Sequence, residues 1–247
     1  IAILYRRRRS RSLCTPHATT VPGDATTADD ALAAWHRAFA RGALRPAIGL
    51  DTEFVRGSSN PVAVIQLSCC AADSQCVQTI IIRVATMAVP PQSLLALLAD
   101  ESIVKCGVGV ADDLHRIEAW AAATCGLASA GGVELVPLAR RAGFSATGLA
   151  ALSLEVLGEA LPKELRCSDW DAPELTASQL EYAANDARAS LKVFLALHGS
   201  DHAAGRAPLA AWAAAATADA RVSGGGSKGG GGGGKGGGKG GCKGGCK

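Results

Sequence analysis

Apolar positions along this chain fall into two spacings. Between residues 47 and 84 they form short, nearly continuous runs separated by turn-forming residues, the pattern of buried strands. Three strands are expected there, at 47–54, 62–70 and 76–84, with a loop at 56–61 between the first two. The β-branched run 79–84 is too short for a buried helix and reads as a buried strand. Together they predict a three-strand meander. Beyond residue 90 the spacing alternates. A helix at 92–100 follows Pro90-Pro91, then a strand at 103–110, a helix at 112–124 and a short strand at 133–136. Helices close the series at 137–142, 147–157 and 176–198, and one helical stretch, 29–41, precedes the first strand. Strands first, then alternation, then helices predict an α/β domain with a mixed sheet and helices packed on it.

The last helix has the clearest boundaries. Thr176-Ala177-Ser178-Gln179 is a capping box, in which the Thr and Gln side chains satisfy backbone N–H groups at the helix start. No Gly or Pro interrupts residues 177–198. Leu180, Ala184, Ala187, Leu191 and Phe194 form an apolar stripe at helical spacing. Tyr182 and Asp186 lie off that stripe, four residues apart, and share another face.

Composition fits one mid-sized domain between two tails. The chain has 247 residues, 48% of them hydrophobic, a figure that Ala inflates. No run of eighteen or more apolar residues is free of charges or breakers, so no membrane span is expected. The net charge of +3 hides an uneven distribution. Arg6, Arg7, Arg8, Arg9 and Arg11 sit at the front, and Lys228, Lys235, Lys239, Lys243 and Lys247 in the tail. Setting those ten aside leaves 15 basic against 22 acidic residues, an acidic body of about −7. The expected organisation is a basic, disordered segment at 1–28, a folded domain at 29–222 and a Gly/Lys-rich disordered tail at 223–247. The chain opens on Ile1, which points to a missing or processed start. The basic front fits an organellar transit peptide, a nuclear-targeting run or a plain basic tail. Nine cysteines without a CxxC pair, several of them in expected strands, read as small buried hydrophobes in a reducing, intracellular compartment rather than a disulfide framework.

Candidate chemistry begins in Leu50-Asp51-Thr52-Glu53-Phe54. Residues two apart on a strand share a face, so Asp51 and Glu53 project together from an otherwise apolar strand. Two such carboxylates repel unless a cation lies between them. A second acidic pair, Asp112-Asp113, sits where a strand runs into a helix. Acids are favoured at a helix N-terminus, and Asp112 is read as the cap with Asp113 aimed into the site. Asp186 and Tyr182 add an acid and a phenol from the last helix. Oxygen-only donors suit a hard divalent cation such as Mg²⁺. His17, His36, His115, His198 and His202 lack Zn²⁺-ligand spacing. Two such ions can clamp the attacking and leaving oxygens of a displacement at phosphorus.

In these residues the chain resembles the DEDD 3′→5′ exonucleases of the ribonuclease H-like fold, in the subclass with Tyr in its third motif. Asp51–Phe54 followed by Val64-Ile65-Gln66-Leu67 is similar to ribonuclease D. Lys105-Cys106-Gly107-Val108-Gly109-Val110 ahead of Asp113 is similar to Werner-type exonuclease domains. Leu157-Gly158, Lys163, Ser168-Asp169-Trp170, Leu175, Gln179, Tyr182-Ala183-Ala184 and Asp186-Ala187 are similar to both. The resemblance implies a ribonuclease H-like mixed central sheet flanked by helices. It implies Asp51, Glu53, Asp113 and Asp186 as ligands of two Mg²⁺ or Mn²⁺ ions, with Tyr182 assisting the water. Lys163 and Trp170 match substrate-contacting positions. DNA or RNA 3′ ends are the implied substrates, in an organelle or the nucleus. An Arg found in ribonuclease D-like members just ahead of the position of Leu175 is replaced here by Pro173-Glu174. No helicase or helical RNA-binding segment follows, so the domain is expected to stand alone or depend on partners. The competing reading is a nuclease-like module that binds nucleic acid without cutting, which would require a lost ligand; all four acids and the Tyr are present.

Overall fold

A computed structural model describes residues 18–59, 61–162 and 164–203. The Arg-rich start, the Gly/Lys tail and Lys163 lie outside the described residues. Six strands form one sheet in the order β1–β4–β3–β2–β5–β6. They are β1 (Ala18–Thr20), β2 (Ala47–Glu53), β3 (Val64–Cys70), β4 (Val77–Arg83), β5 (Val104–Gly107) and β6 (Gly132–Glu134). β3 runs antiparallel to both its neighbours, while β1 pairs parallel with β4 and β5 pairs parallel with β2 and β6. The mixed sheet expected from the apolar runs is therefore the one that forms.

Strand alternation sends β2 to two different layers. Ile48 and Leu50 face a core shared with α1 (Ala25–Ala40), α2 (Gln92–Ala99) and α3 (Val110–Ala121), filled by Leu32, Trp35, Leu94, Leu97, Leu98 and Ile117. Residues 47, 49, 51 and 53 face the other side. There the core is built by α4 (Leu135–Arg141), α5 (Leu149–Leu152) with the π-turn Ser153–Leu157, and the long helix α6 (Ala177–Ala203). α6 crosses β2 at Gly49, where close approach requires the absence of a side chain. A Cβ there would lie 2.6 Å from the Leu191 amide nitrogen and 2.8 Å from its Cβ, and closer still to the Ala187 carbonyl oxygen.

Several boundaries differ from the sequence reading, each for a local reason. α1 begins at Ala25, not 29, because the Asp24 carboxylate caps it, accepting from the Thr27 N–H at 2.8 Å. The short β1 lies inside the segment expected to be disordered. It is pinned by Arg188 of α6, whose guanidinium donates to Thr19 and, at 3.1 Å, to Thr79. α3 begins at Val110 with left-handed Gly109 (φ 75°) as its N-cap, so Asp112 is not the cap. Glu134 from β6 does that work instead, accepting from the Gly109 N–H at 2.8 Å and the Ala111 N–H at 3.1 Å. Cys69, Cys70 and Cys106 are free and buried, as expected of small hydrophobes, but Cys76 is disulfide-bonded, which corrects the all-thiol reading. Among the described residues no helix is long and apolar enough to cross a membrane.

Lys105 in β5 is fully buried. Its ammonium donates to the Asp100 carbonyl at 2.7 Å and the Ile103 carbonyl at 2.9 Å, fastening the turn that enters the strand. Burial lowers its pKa to about 7, with the Asp100 carboxylate opposing that shift.

Candidate active site

The end of β2 places Asp51 and Glu53 on the α6 side of the sheet. The Gly49 contact fixes how near α6 lies, and in the turn before Ala187 the helix carries Tyr182 and Asp186 into the same cleft as that strand end. One carboxylate oxygen from each of Asp51, Glu53 and Asp186 falls within 4.8 Å of the others, with Glu53 buried and the two aspartates half-buried. These three carboxylates and Tyr182 line a cleft of about 750 Å³. Phe54, Val55 and Arg56 continue its lining from β2, Thr147–Ala151 contribute from around α5, and Arg166, Cys167 and Ser168 from the loop before α6.

Asp113 stands apart from the three. It is fully buried in the first turn of α3 and its Oδ1 accepts from the Thr52 hydroxyl at 2.7 Å. Its charge nevertheless reaches Glu53. Asp112, its exposed neighbour, lines the cleft. The α-helical register therefore divides the pair as the sequence suggested, one acid inward and one outward, although the inward acid lies behind Thr52 rather than in the cluster.

The electrostatics are those of uncompensated negative charge. Burial pushes the Glu53 carboxyl up to about 10, and the carboxylates of Asp51, Asp186 and Asp113 add to the push. Burial raises Asp186 to about 7, opposed by a hydrogen bond from Tyr182 and by the Arg166 guanidinium. The Tyr182 phenol is pushed upward by burial and then by Asp186, Glu53 and Asp51, so it stays protonated and acts as a hydrogen-bond donor. Three oxygen donors that repel one another when ionised are a fit for a divalent cation, whose charge removes the repulsion. The absence of His or Cys among them favours Mg²⁺ or Mn²⁺ over Zn²⁺.

Trp170 does not line the cleft. It is 2% exposed and packs against Tyr182, with ring centroids 6.0 Å apart at 39°. Its place is beside the phenol ring of Tyr182. Gln179, of the capping box, also supports this loop. Its amide nitrogen donates to the Ser168 hydroxyl and the Asp169 carbonyl, both at 2.9 Å, while its oxygen accepts from Thr176. The sequence reading missed Arg166 and Phe54 as lining residues. Phe54 follows the Asp51–Glu53 pair directly, and the Arg116 guanidinium of α3 sits 3.6 Å over its ring.

Sheet order, helix placement and carboxylate cluster together define a ribonuclease H-like α/β domain with an acidic site suited to a hard cation. The chain belongs to the 3′-5′ exonuclease family, whose model matches residues 25–199. Among its relatives, Exonuclease 3′-5′ domain-containing protein 2 of Homo sapiens is 35% identical over 166 residues, covering 62% of this chain and 25% of that protein. The Bifunctional 3′-5′ exonuclease/ATP-dependent helicase WRN of Mus musculus is 34% identical over 155 residues, covering 60% and 10%. The crystal structure of Escherichia coli RNase D, an exoribonuclease involved in structured RNA processing, superposes with a TM-score of 0.62 at 26% identity, covering 83% of this chain and 49% of that one. The match with Exonuclease 3′-5′ domain-containing protein 2 spans about a quarter of that relative's length.

Proposed function

We propose that this chain is a metal-dependent exonuclease that removes nucleotides one at a time from the 3′ ends of DNA or RNA. The observation that carries the reading is the meeting of Asp51, Glu53 and Asp186 beside Tyr182 in an open cleft, at the end of the central strand. Asp51, Glu53 and Asp186 would hold two divalent cations, and the charge of Asp113, hydrogen-bonded to Thr52, reaches Glu53. Divalent cations bound there supply Lewis-acid stabilisation of phosphate charge and a lowered pKa for an attacking water. In the reaction a water oxygen bonds to the terminal phosphorus and the bond from phosphorus to the 3′-oxygen breaks. The water's proton passes to solvent, the 3′-oxygen takes up a proton, and a nucleoside 5′-monophosphate leaves. Tyr182, held protonated, orients the attacking water through its hydroxyl rather than removing its proton. Trp170 keeps that phenol in place.

The test is degradation of 5′-labelled single-stranded DNA and RNA oligonucleotides with Mg²⁺, with Mn²⁺ or with EDTA, beside Asp51→Ala. A metal-dependent ladder shortening from the 3′ end, lost in the variant, supports the reading and shows which sugar is preferred. Binding without cleavage of either substrate would instead make the chain a nucleic-acid-binding module.

A further inference from the structure

Arg166 is a cation lining an acidic cleft, and among the described residues it closes on no carboxylate there. It lines the cleft with Asp51, Glu53, Tyr182 and Asp186. Its charge is felt at both Glu53 and Asp186, yet among the described residues no ion pair joins it to a carboxylate. Its Nη2 is buried and has no hydrogen-bond partner. A guanidinium placed only to neutralise carboxylates is expected to close on one of them with two parallel N–H bonds, the geometry in which that pair is strongest. Leaving a buried donor open is costly unless something else fills it.

The scaffold, not an ion pair, sets where Arg166 stands. Gln179 of α6 holds Ser168 and Asp169, two and three residues on. Arg83 at the end of β4 donates to the carbonyls of Ala172 at 2.8 Å and Pro173 at 2.6 Å. Leu165 and Trp170, on either side, pack into the core cluster that contains Tyr182. The segment is thus fastened to α6 and β4 while the guanidinium faces the cleft.

Resting on the exonuclease reading above, we propose that Arg166 is a substrate-contacting residue whose guanidinium binds the non-bridging oxygens of the phosphate under attack. Those oxygens accept hydrogen bonds in the planar arrangement that a guanidinium offers, and they carry the charge that grows as the new bond to phosphorus forms.

The experiment uses the full chain, wild type beside Arg166→Gln and Arg166→Lys, with melts to establish folding. Oligonucleotide binding is read by anisotropy in Ca²⁺ across a salt series, on a normal 3′ end and on one whose terminal linkage is a neutral methylphosphonate. Arg166→Gln should weaken binding of the normal end roughly ten- to hundred-fold, the loss expected for a hydrogen bond to a charged group. The slope of log affinity against log salt should fall by about one. On the methylphosphonate end the same substitution should cost little, because its partner charge is already gone. Arg166→Lys should recover part of the loss, and Ca²⁺ affinity by calorimetry should be retained or increased. Equal losses on both ends, or wild-type binding and kcat/KM in Arg166→Gln, would overturn the proposal. Wild-type protein that cuts no oligonucleotide defeats the exonuclease reading, and the binding comparison still decides Arg166.

Discussion

Gly49→Ala is a one-carbon change at a distance from the chemistry, and it tests what positions the site. The new Cβ would lie 2.6 Å from the Leu191 amide nitrogen and nearer to the Ala187 carbonyl. Both are backbone atoms of α6, so no side chain can rotate away. Restoring ordinary contact distances of about 3.5 Å requires a shift of roughly 1 Å between helix and strand. Overpacking of this kind costs about 1–3 kcal/mol, which for a domain of this size lowers the melting temperature by roughly 2–12 °C. The larger effect falls on the site. Asp186 is one residue before Ala187, and its carboxylate moves with the helix while Asp51 and Glu53 stay with the sheet. A misplacement of about 1 Å is worth on the order of 10²-fold in rate. The assay pairs thermal melts with single-turnover cleavage in Mg²⁺, and adds cation affinity by calorimetry. Gly23→Ala is the control, since nothing lies within 4 Å of a Cβ at that position. A Gly49→Ala protein with wild-type cation affinity and cleavage rate would refute the argument that this contact sets the distance between α6 and β2.

Three other outcomes follow from the same geometry. Asp51→Asn and Asp186→Asn should each lower the cleavage rate by on the order of 10²-fold or more, while the melting temperature in EDTA holds or rises, because an acid that its neighbours and burial disfavour in the ionised form is gone; a marked fall in that temperature would argue that the cluster is a structural network. Glu53 and Asp186 hold protons in the folded metal-free protein that the unfolded chain releases at the ordinary values of 4.5 and 3.8. Their contribution to stability is fully present below those values and is lost as pH rises through about 7 for Asp186 and about 10 for Glu53. Melts in EDTA should therefore lose a stabilising contribution from about pH 5 to about pH 8, and saturating Mg²⁺ should flatten that slope; if removing both groups left the slope in EDTA unchanged, the shifts would be wrong. Tyr182→Phe keeps the ring against Trp170 and deletes the hydroxyl, so the melting temperature should stay near wild type while the single-turnover rate falls about 10²-fold; an unchanged rate would remove Tyr182 from the reaction.

The central architecture was legible because it is written in burial. β2, β3 and β4 are apolar runs with almost no exposed position, and a run of that kind has few alternatives to an interior strand. The Asp51–Glu53 pair stood out because two charges in such a run need a reason. Tyr182 and Asp186 stood out because they broke a clean apolar stripe. What escaped is held by contacts between residues far apart in sequence. β1 has three residues and no periodic signal, and it exists through its pairing with β4 and the reach of Arg188 from α6. The cap on α3 is supplied by Glu134, in another strand, so the neighbouring Asp112 drew attention to itself. Trp170 matched a motif position, but whether an aromatic side chain faces a cleft or backs a neighbour depends on the path of its loop, here set by Gln179 and Arg83. Arg166 carried no local signal, since its meaning comes from which donors stay open after folding.

The carboxylates that converge at the end of β2 are contributed by segments that meet only when the sheet and α6 are assembled. An unfolded chain keeps the Asp51–Glu53 pair but not Asp186 beside it, so a divalent cation would bind the native state more tightly and the difference in binding energy becomes folding energy. By mass action, cation at a hundred times its dissociation constant adds about 2.7 kcal/mol to the native state. Ions bound in the cleft would thereby also protect the chain from unfolding and from proteases that attack opened protein. A substitution that weakens the site without touching the core would then lower the amount of protein that survives in a cell, as well as its activity.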